Sequence, residues 1–154
     1  GNKLSKNIIV EFFDYNCSYC RRVHKDLKKT LNNSKDVKII YKNFPILSEN
    51  SLKLAKFAII ISEIDSKKFV DFHNSIMNIK GQVNEDDLNE VIKKLNIDLD
   101  LVKSMMNNEE VEAKLRKDID LANKLGLRGT PAFVIGDELI FGYINHEEII
   151  SKLF

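Results

Sequence analysis

The sequence predicts an α/β fold in which a sheet layered with helices is interrupted by an inserted, all-helical block. Three features predict it: apolar, β-branched runs occur only near the two ends of the chain, the first two of them flank a helical stripe, and the long middle carries helical periods alone.

The first strand is Ile8-Ile9-Val10-Glu11-Phe12-Phe13, apolar on both faces except at Glu11, as a strand covered on both sides should be. From Ser18 to about Leu31, the residues Val23, Leu27 and Leu31 fall at i, i+4 and i+8. They make one stripe of a helix whose other faces carry Arg21, Arg22, Lys25, Lys28 and Lys29. VKIIYKNF, residues 37–44, is a second strand, which Pro45 helps to stop because it has no N–H to give a ladder. Strand, helix, strand in this order implies a parallel pair.

Helical patterns then run over residues 51–64, 67–79, 85–95, 99–106 and 109–125. Asn84 and Asn108 are N-caps ahead of acidic first turns, and Gly126 ends the last of these helices. Met77, Met105 and Met106 in this block read as core filler. β character returns at 132–135 and 139–143 around Gly136-Asp137-Glu138, a hairpin signal. Asn145 with Glu148 resembles a capping box and starts a last helix to Phe154.

The 154 residues suffice for one sizeable core. With 24 Lys+Arg against 23 Asp+Glu the formal charge is +1, so no global field argues for nucleic acid or an anionic membrane. No apolar run approaches the roughly 18 residues of a membrane span. The opening GNKLSKN has no apolar signal core, although a signal removed ahead of it is compatible with that.

The two cysteines, Cys17 and Cys20, lie in DYNCSYCRR at the junction of the first strand and helix. Positions i and i+3 of a first helical turn share a face, at the Cα separation of about 5.5 Å that a disulfide needs. The first sulfur meets the unpaired amides and positive end of the helix dipole, which favour a thiolate and make Cys17 the nucleophile. Cys20, one turn further in, is shielded and resolves a mixed disulfide. Two other readings compete. A zinc site lacks ligands, because no second cysteine pair exists and His24, His73 and His146 are scattered; His24, among lysines, reads as a solvated surface residue. A static disulfide across two intervening residues closes too small a loop to constrain the unfolded chain much.

The second informative stretch is LGLRGTPAFVI. A strand beginning just after Pro131 leaves the Thr130 main chain free to pair outward with an extended peptide, while a plain trans-proline loop is the simpler alternative.

EFFDYNCSYC together with GTPAFVIG strongly resembles the DsbA-like branch of the thioredoxin superfamily, over nearly the whole chain. The resemblance implies a thioredoxin fold with an inserted all-helical subdomain. Residues 1–47 and 119–154 would be the two halves of the thioredoxin domain, and 48–118 the insertion. It further implies a catalytic Cys17–Cys20 pair, a cis proline at Pro131 lying against it and a substrate groove at Thr130 and Pro131. No cofactor or metal is called for. The implied activity is oxidation of secreted or periplasmic proteins, with unfolded or reduced protein substrates and a membrane redox partner of DsbB or DsbD type. The implied location is periplasmic or otherwise extracytoplasmic.

Glu11 matches the family's buried acid beneath the cysteines, where desolvation would raise its proton affinity and let it exchange protons with Cys20; the competing reading turns it to solvent at the strand end. Neither Lys38 nor Lys42 falls at the place of the lysine that often partners this acid. Ser18-Tyr19 between the cysteines departs from the proline and histidine of the best-known oxidase. Tyr19 brings no positive charge, so the Cys17 pKa is expected below that of a free thiol without reaching the lowest values known. Thr130 replaces the valine of the best-known oxidase; threonine there is familiar both in isomerase-type relatives and in many DsbA-like homologues. An isomerase or reductase is therefore the second reading. Isomerases of the superfamily usually oligomerise through a segment ahead of this fold, which is missing from a chain that begins seven residues before its first strand. A non-catalytic peptide-binding module is the third reading.

Overall fold

The computed structural model describes all 154 residues. Strand β1 (Ile8–Phe13) leads into α1 (Ser18–Asn33) and β2 (Lys38–Asn43), five helices follow, and the chain closes with β3 (Ala132–Ile135), β4 (Glu138–Phe141) and α7 (His146–Leu153). The five are α2 (Glu49–Ile64), α3 (Ser66–Met77), α4 (Glu85–Lys94), α5 (Leu99–Met105) and α6 (Glu109–Lys124), each within two residues of the start and end expected from the pattern.

The sheet order is β2-β1-β3-β4, with β1 and β2 parallel and the other two pairings antiparallel. β1 is thus interior, which explains its nearly continuous apolar run. Alternation along it builds two layers. Ile9 packs with Val23 and Leu27 of α1 and Ile149 of α7, while Phe12 on the opposite face packs with Ala122 of α6 and with Leu127. A third and larger cluster joins the helical block to the end of β1, and holds Phe13, Tyr15, both cysteines and Met77, with Met105 and Met106 packed against it.

Local signals hold the ends of these elements. Asn84 and Asn145 form complete capping boxes with Asp87 and Glu148, Asn108 caps α6, and Gly126 takes φ 74° where α6 must turn back. Gly136, at φ 59°, supplies the positive φ that a two-residue hairpin turn requires. The last helix is tied to α1 by Asp26, whose carboxylate accepts from Tyr143 Oη at 2.9 Å and His146 N at 3.1 Å.

Candidate active site

The loop between β1 and α1 is fixed by two polar side chains before it reaches the cysteines. Buried Asp14 accepts from Asn16 N at 2.8 Å and Leu47 N at 3.0 Å, and its carbonyl accepts from Cys17 N at 3.0 Å. Asn16 donates to Asn50 Oδ1 and Ser51 Oγ of α2 and accepts from Val83 N, so the loop is fastened to the helical block. Both residues act at long range, and only the short-range Asp14–Asn16 turn has a signal in the local sequence.

Cys17 is the N-cap of α1, and its sulfur accepts from Cys20 N at 3.1 Å. A thiolate is well suited to this position because the orphan amides of the first turn need an acceptor and the helix dipole favours negative charge there. The Cys17 pKa is lowered to about 6, chiefly by a hydrogen bond from the Cys20 thiol; burial opposes the shift, the Thr130 hydroxyl and the Cys20 N–H reinforce it, and the Asp14 charge opposes it. Cys17 retains 6% exposure and Cys20 has none. Burial, with the hydrogen bond it gives Cys17 and the charges of Glu11 and Cys17, pushes the Cys20 thiol far above the ordinary range.

On the far side of Cys17 the Thr130–Pro131 peptide bond is cis, Pro131 is buried, and Thr130 O lies 3.5 Å from the Cys17 sulfur. The structure therefore brings together residues 113 apart in sequence. Thr130 enters no backbone–backbone hydrogen bond, whereas Pro131 O accepts from Gly142 N at 2.9 Å. A cavity of about 320 Å³ opens here, lined by Arg128, Thr130, Pro131 and Phe141, the last 65% exposed. Ser18 and Tyr19 face solvent.

Beneath the cysteines lies a sealed polar cluster. Glu11 is fully buried, which rules out the solvated strand-end alternative, and neither carboxylate oxygen has a protein partner. Burial first, and then the Cys17 charge, raises its pKa well above the carboxylate range. Its register partner on β2 is Tyr41; Lys42 pairs with Phe12 on the other face and forms an ion pair with Asp118 at 3.2 Å.

His24 corrects an expectation. It is 1% exposed rather than solvated, because α3 of the helical block covers that face of α1 and sets the His73 ring 5.2 Å from it. His73 is bonded through Nδ1 to Tyr15 Oη at 2.9 Å and lies against Tyr41 with centroids 4.1 Å apart. Burial and the Lys28 charge lower the His24 pKa to about 4; Asn74 is near enough to oppose this weakly without reaching hydrogen-bonding geometry. Burial and His24 lower His73 further. His146 lies apart from them, bonded to Thr30 Oγ1 at 2.8 Å. No three His, Cys, Asp or Glu side chains converge as a metal-holding group.

Residues 8–153 match the family described as DSBA-like thioredoxin domain. The thiol-disulfide exchange protein alpha-DsbA2 from Wolbachia pipientis superposes with a TM-score of 0.91 at 31% identity, over 99% of this chain and 83% of that one. The probable disulfide bond formation protein D of Bacillus anthracis is 29% identical over 85% of this chain and 65% of its own length. The Na(+)/H(+) antiporter NhaA 1 of Salinispora arenicola is 20% identical over 94% of this chain, which spans only 22% of that protein.

Proposed function

Because the chain belongs to the family of DSBA-like thioredoxin domains, we propose that it is a thiol-disulfide oxidoreductase that donates the Cys17–Cys20 disulfide to reduced protein substrates. The observation that carries this reading is the Cys17 sulfur capping α1, with its pKa near 6, 3.5 Å from the Thr130 carbonyl.

In the forward reaction a substrate thiolate attacks Cys17 Sγ. The bond between the two cysteines breaks, and Cys20 leaves as a thiolate that takes a proton from the Glu11 carboxyl through an intervening water, leaving Glu11 as the carboxylate. A second substrate thiolate then attacks the substrate sulfur of the mixed disulfide. Cys17 departs as the stabilised thiolate, and two electrons have passed from the substrate dithiol to the cysteine pair. A thiolate leaving group of low pKa departs readily and stabilises the reduced protein, so the direction favoured is oxidation of substrate. The Thr130 main chain holds the substrate as an added strand, independently of its sequence. Ser18 and Tyr19 tune the potential by leaving the sulfur without a further cation.

Disulfide donation is useful where disulfides persist, so the reading carries with it a periplasmic or otherwise extracytoplasmic location and a membrane reoxidant of DsbB type. Equilibration with glutathione buffers tests the direction. A potential well above the roughly −270 mV of thioredoxin, towards the roughly −120 mV of DsbA, is expected. A value near thioredoxin's, or reshuffling of a scrambled substrate without oxidation of a reduced one, transfers the assignment to a reductase or to an isomerase with a DsbD-type reductant.

A further inference from the structure

Resting on the oxidoreductase reading, a second cavity, which reaches Ser18 next to Cys17, narrows the kind of substrate. It holds about 260 Å³ and is lined by Ser18, the Arg21, Arg22 and Lys25 side chains of α1, residues 77–79 and Lys80. The groove on the other side of the sulfur adds Arg128. The two cavities, one reaching Ser18 beside Cys17 and the other Thr130, whose carbonyl is 3.5 Å from the sulfur, are thus lined by five cations and no carboxylate, although the whole chain is balanced to +1.

None of the five is in an ion pair; the ion pairs of the protein use Lys42, Lys53, Lys56, Lys114 and Lys152. Arg21 gives one N–H to Tyr15 O at 2.9 Å and keeps a buried Nε without a partner, and Arg22 lies 4.4 Å from the Tyr143 ring centroid. Asp14, whose charge reaches Arg21, is buried with its two oxygens occupied by Asn16 and Leu47 amides, and Asp26, near Arg22, is occupied by Tyr143 Oη and His146 N. Unpaired cations around a reactive sulfur attract anionic chains and repel cationic ones.

We propose that the substrate cysteine is carried in an acidic segment, whose Asp or Glu side chains flanking the thiol are held by Arg21, Arg22, Lys25 and Lys80 while its main chain pairs at Thr130. The polarity is local, so it selects partners without making the protein a general polyanion binder.

The test uses the oxidised full chain and three peptides, identical except that the cysteine is flanked by two Glu, two Gln or two Lys. Rates are expressed per thiolate, to remove the effect of flanking charge on the peptide's own ionisation. At about 10 mM ionic strength the Glu peptide is expected to react about 10-fold or more faster than the Lys peptide, with the Gln peptide between. At about 1 M, where the screening length is about 3 Å, the rates should converge. Joint substitution of exposed Lys25→Glu and Lys80→Glu should remove or invert the preference. Equal rates at low salt, or a preference that survives the double substitution, overturns this inference alone. Failure of all three peptides to exchange overturns the oxidoreductase reading and this inference with it.

Discussion

The rim and the floor of the cysteine pair contain the same functional group in two different environments. At the rim, Cys17 meets helix amides, a donated S–H and the Thr130 hydroxyl, each of which stabilises negative charge, and its pKa drops to about 6. On the floor, Cys20 is buried and gives its hydrogen to the Cys17 sulfur, so ionising it would place a second, desolvated negative charge beside Cys17 and Glu11, and the thiol stays protonated. One helical turn separates an anion-stabilising site from an ion-excluding one. In the exchange proposed above, that difference would divide attack from resolution, and it requires no charged residue inside the motif itself.

The largest expected effect breaks the comparison at the sulfurs. Cys20→Ser should trap a mixed disulfide on Cys17 when mixed with a peptide disulfide at pH 7. Cys17→Ser should react at least about 1,000-fold more slowly, because its remaining thiol is buried and protonated. Mass spectrometry of the adducts reads the result directly. Comparable trapping by both variants would remove the distinction between rim and floor.

Next in size is the acid limb of stability. Unfolded, each buried histidine takes up a proton near pH 6.5; folded, His24 resists until about 4 and His73 until well below its ordinary range. The unfolded state therefore binds more protons in this window, and stability is present above pH 6.5 and lost as pH falls towards the folded values. For His24 the loss is about 3 kcal/mol by pH 4. His24→Leu should recover that amount, read as a flatter fall in urea midpoint between pH 6.5 and 4. An unchanged fall would mean that His24 is protonated inside the fold.

Glu11 has the opposite sign. Its folded pKa lies above the unfolded value, so its contribution is intact below about pH 4.5 and is lost as pH rises towards the folded value. Replacing a buried carboxyl that has no protein partner by Leu should stabilise the protein at pH 8 by about 1–3 kcal/mol. In the proposed exchange the same variant should also slow release of Cys20 when the mixed disulfide forms, since it removes the proposed proton donor. A variant that is stabilised but undiminished in rate would make Glu11 a buried acid without a role in proton transfer.

The rim was far more legible in the sequence than the floor. Cys17 at a helix start, the strand opening at Pro131 and the capping asparagines are local patterns, and local patterns survive in a linear reading. The floor is assembled across the fold. His24 sits beside the Val23 and Leu27 stripe, and its lysine neighbours suggested solvent; only the docking of α3, carrying His73 from 49 residues away, buries it. Asp14 and Asn16 likewise reveal their function only through Leu47, Ser51 and Val83. Tyr41 lies in an apolar run with no local signal of its own, yet parallel register sets it, and not Lys38 or Lys42, opposite Glu11.

The smallest change sharpens the comparison within the rim itself. Thr130→Val keeps the shape of the side chain and the backbone that would receive substrate, and deletes only the hydroxyl that favours the Cys17 thiolate. One such hydrogen bond is worth about 1 kcal/mol, and a pH unit corresponds to about 1.4 kcal/mol. The inflection of iodoacetamide reactivity should accordingly rise from near 6 by about 0.5–1 unit, because the Cys20 thiol, the larger cause, remains in place. An inflection that does not move assigns the whole lowering to Cys20 and the helix terminus. A rise of about 2 units or more would mean that the sulfur depends on Thr130 more than on its own helix, and the floor would then set the pKa only by supplying a thiol that cannot ionise.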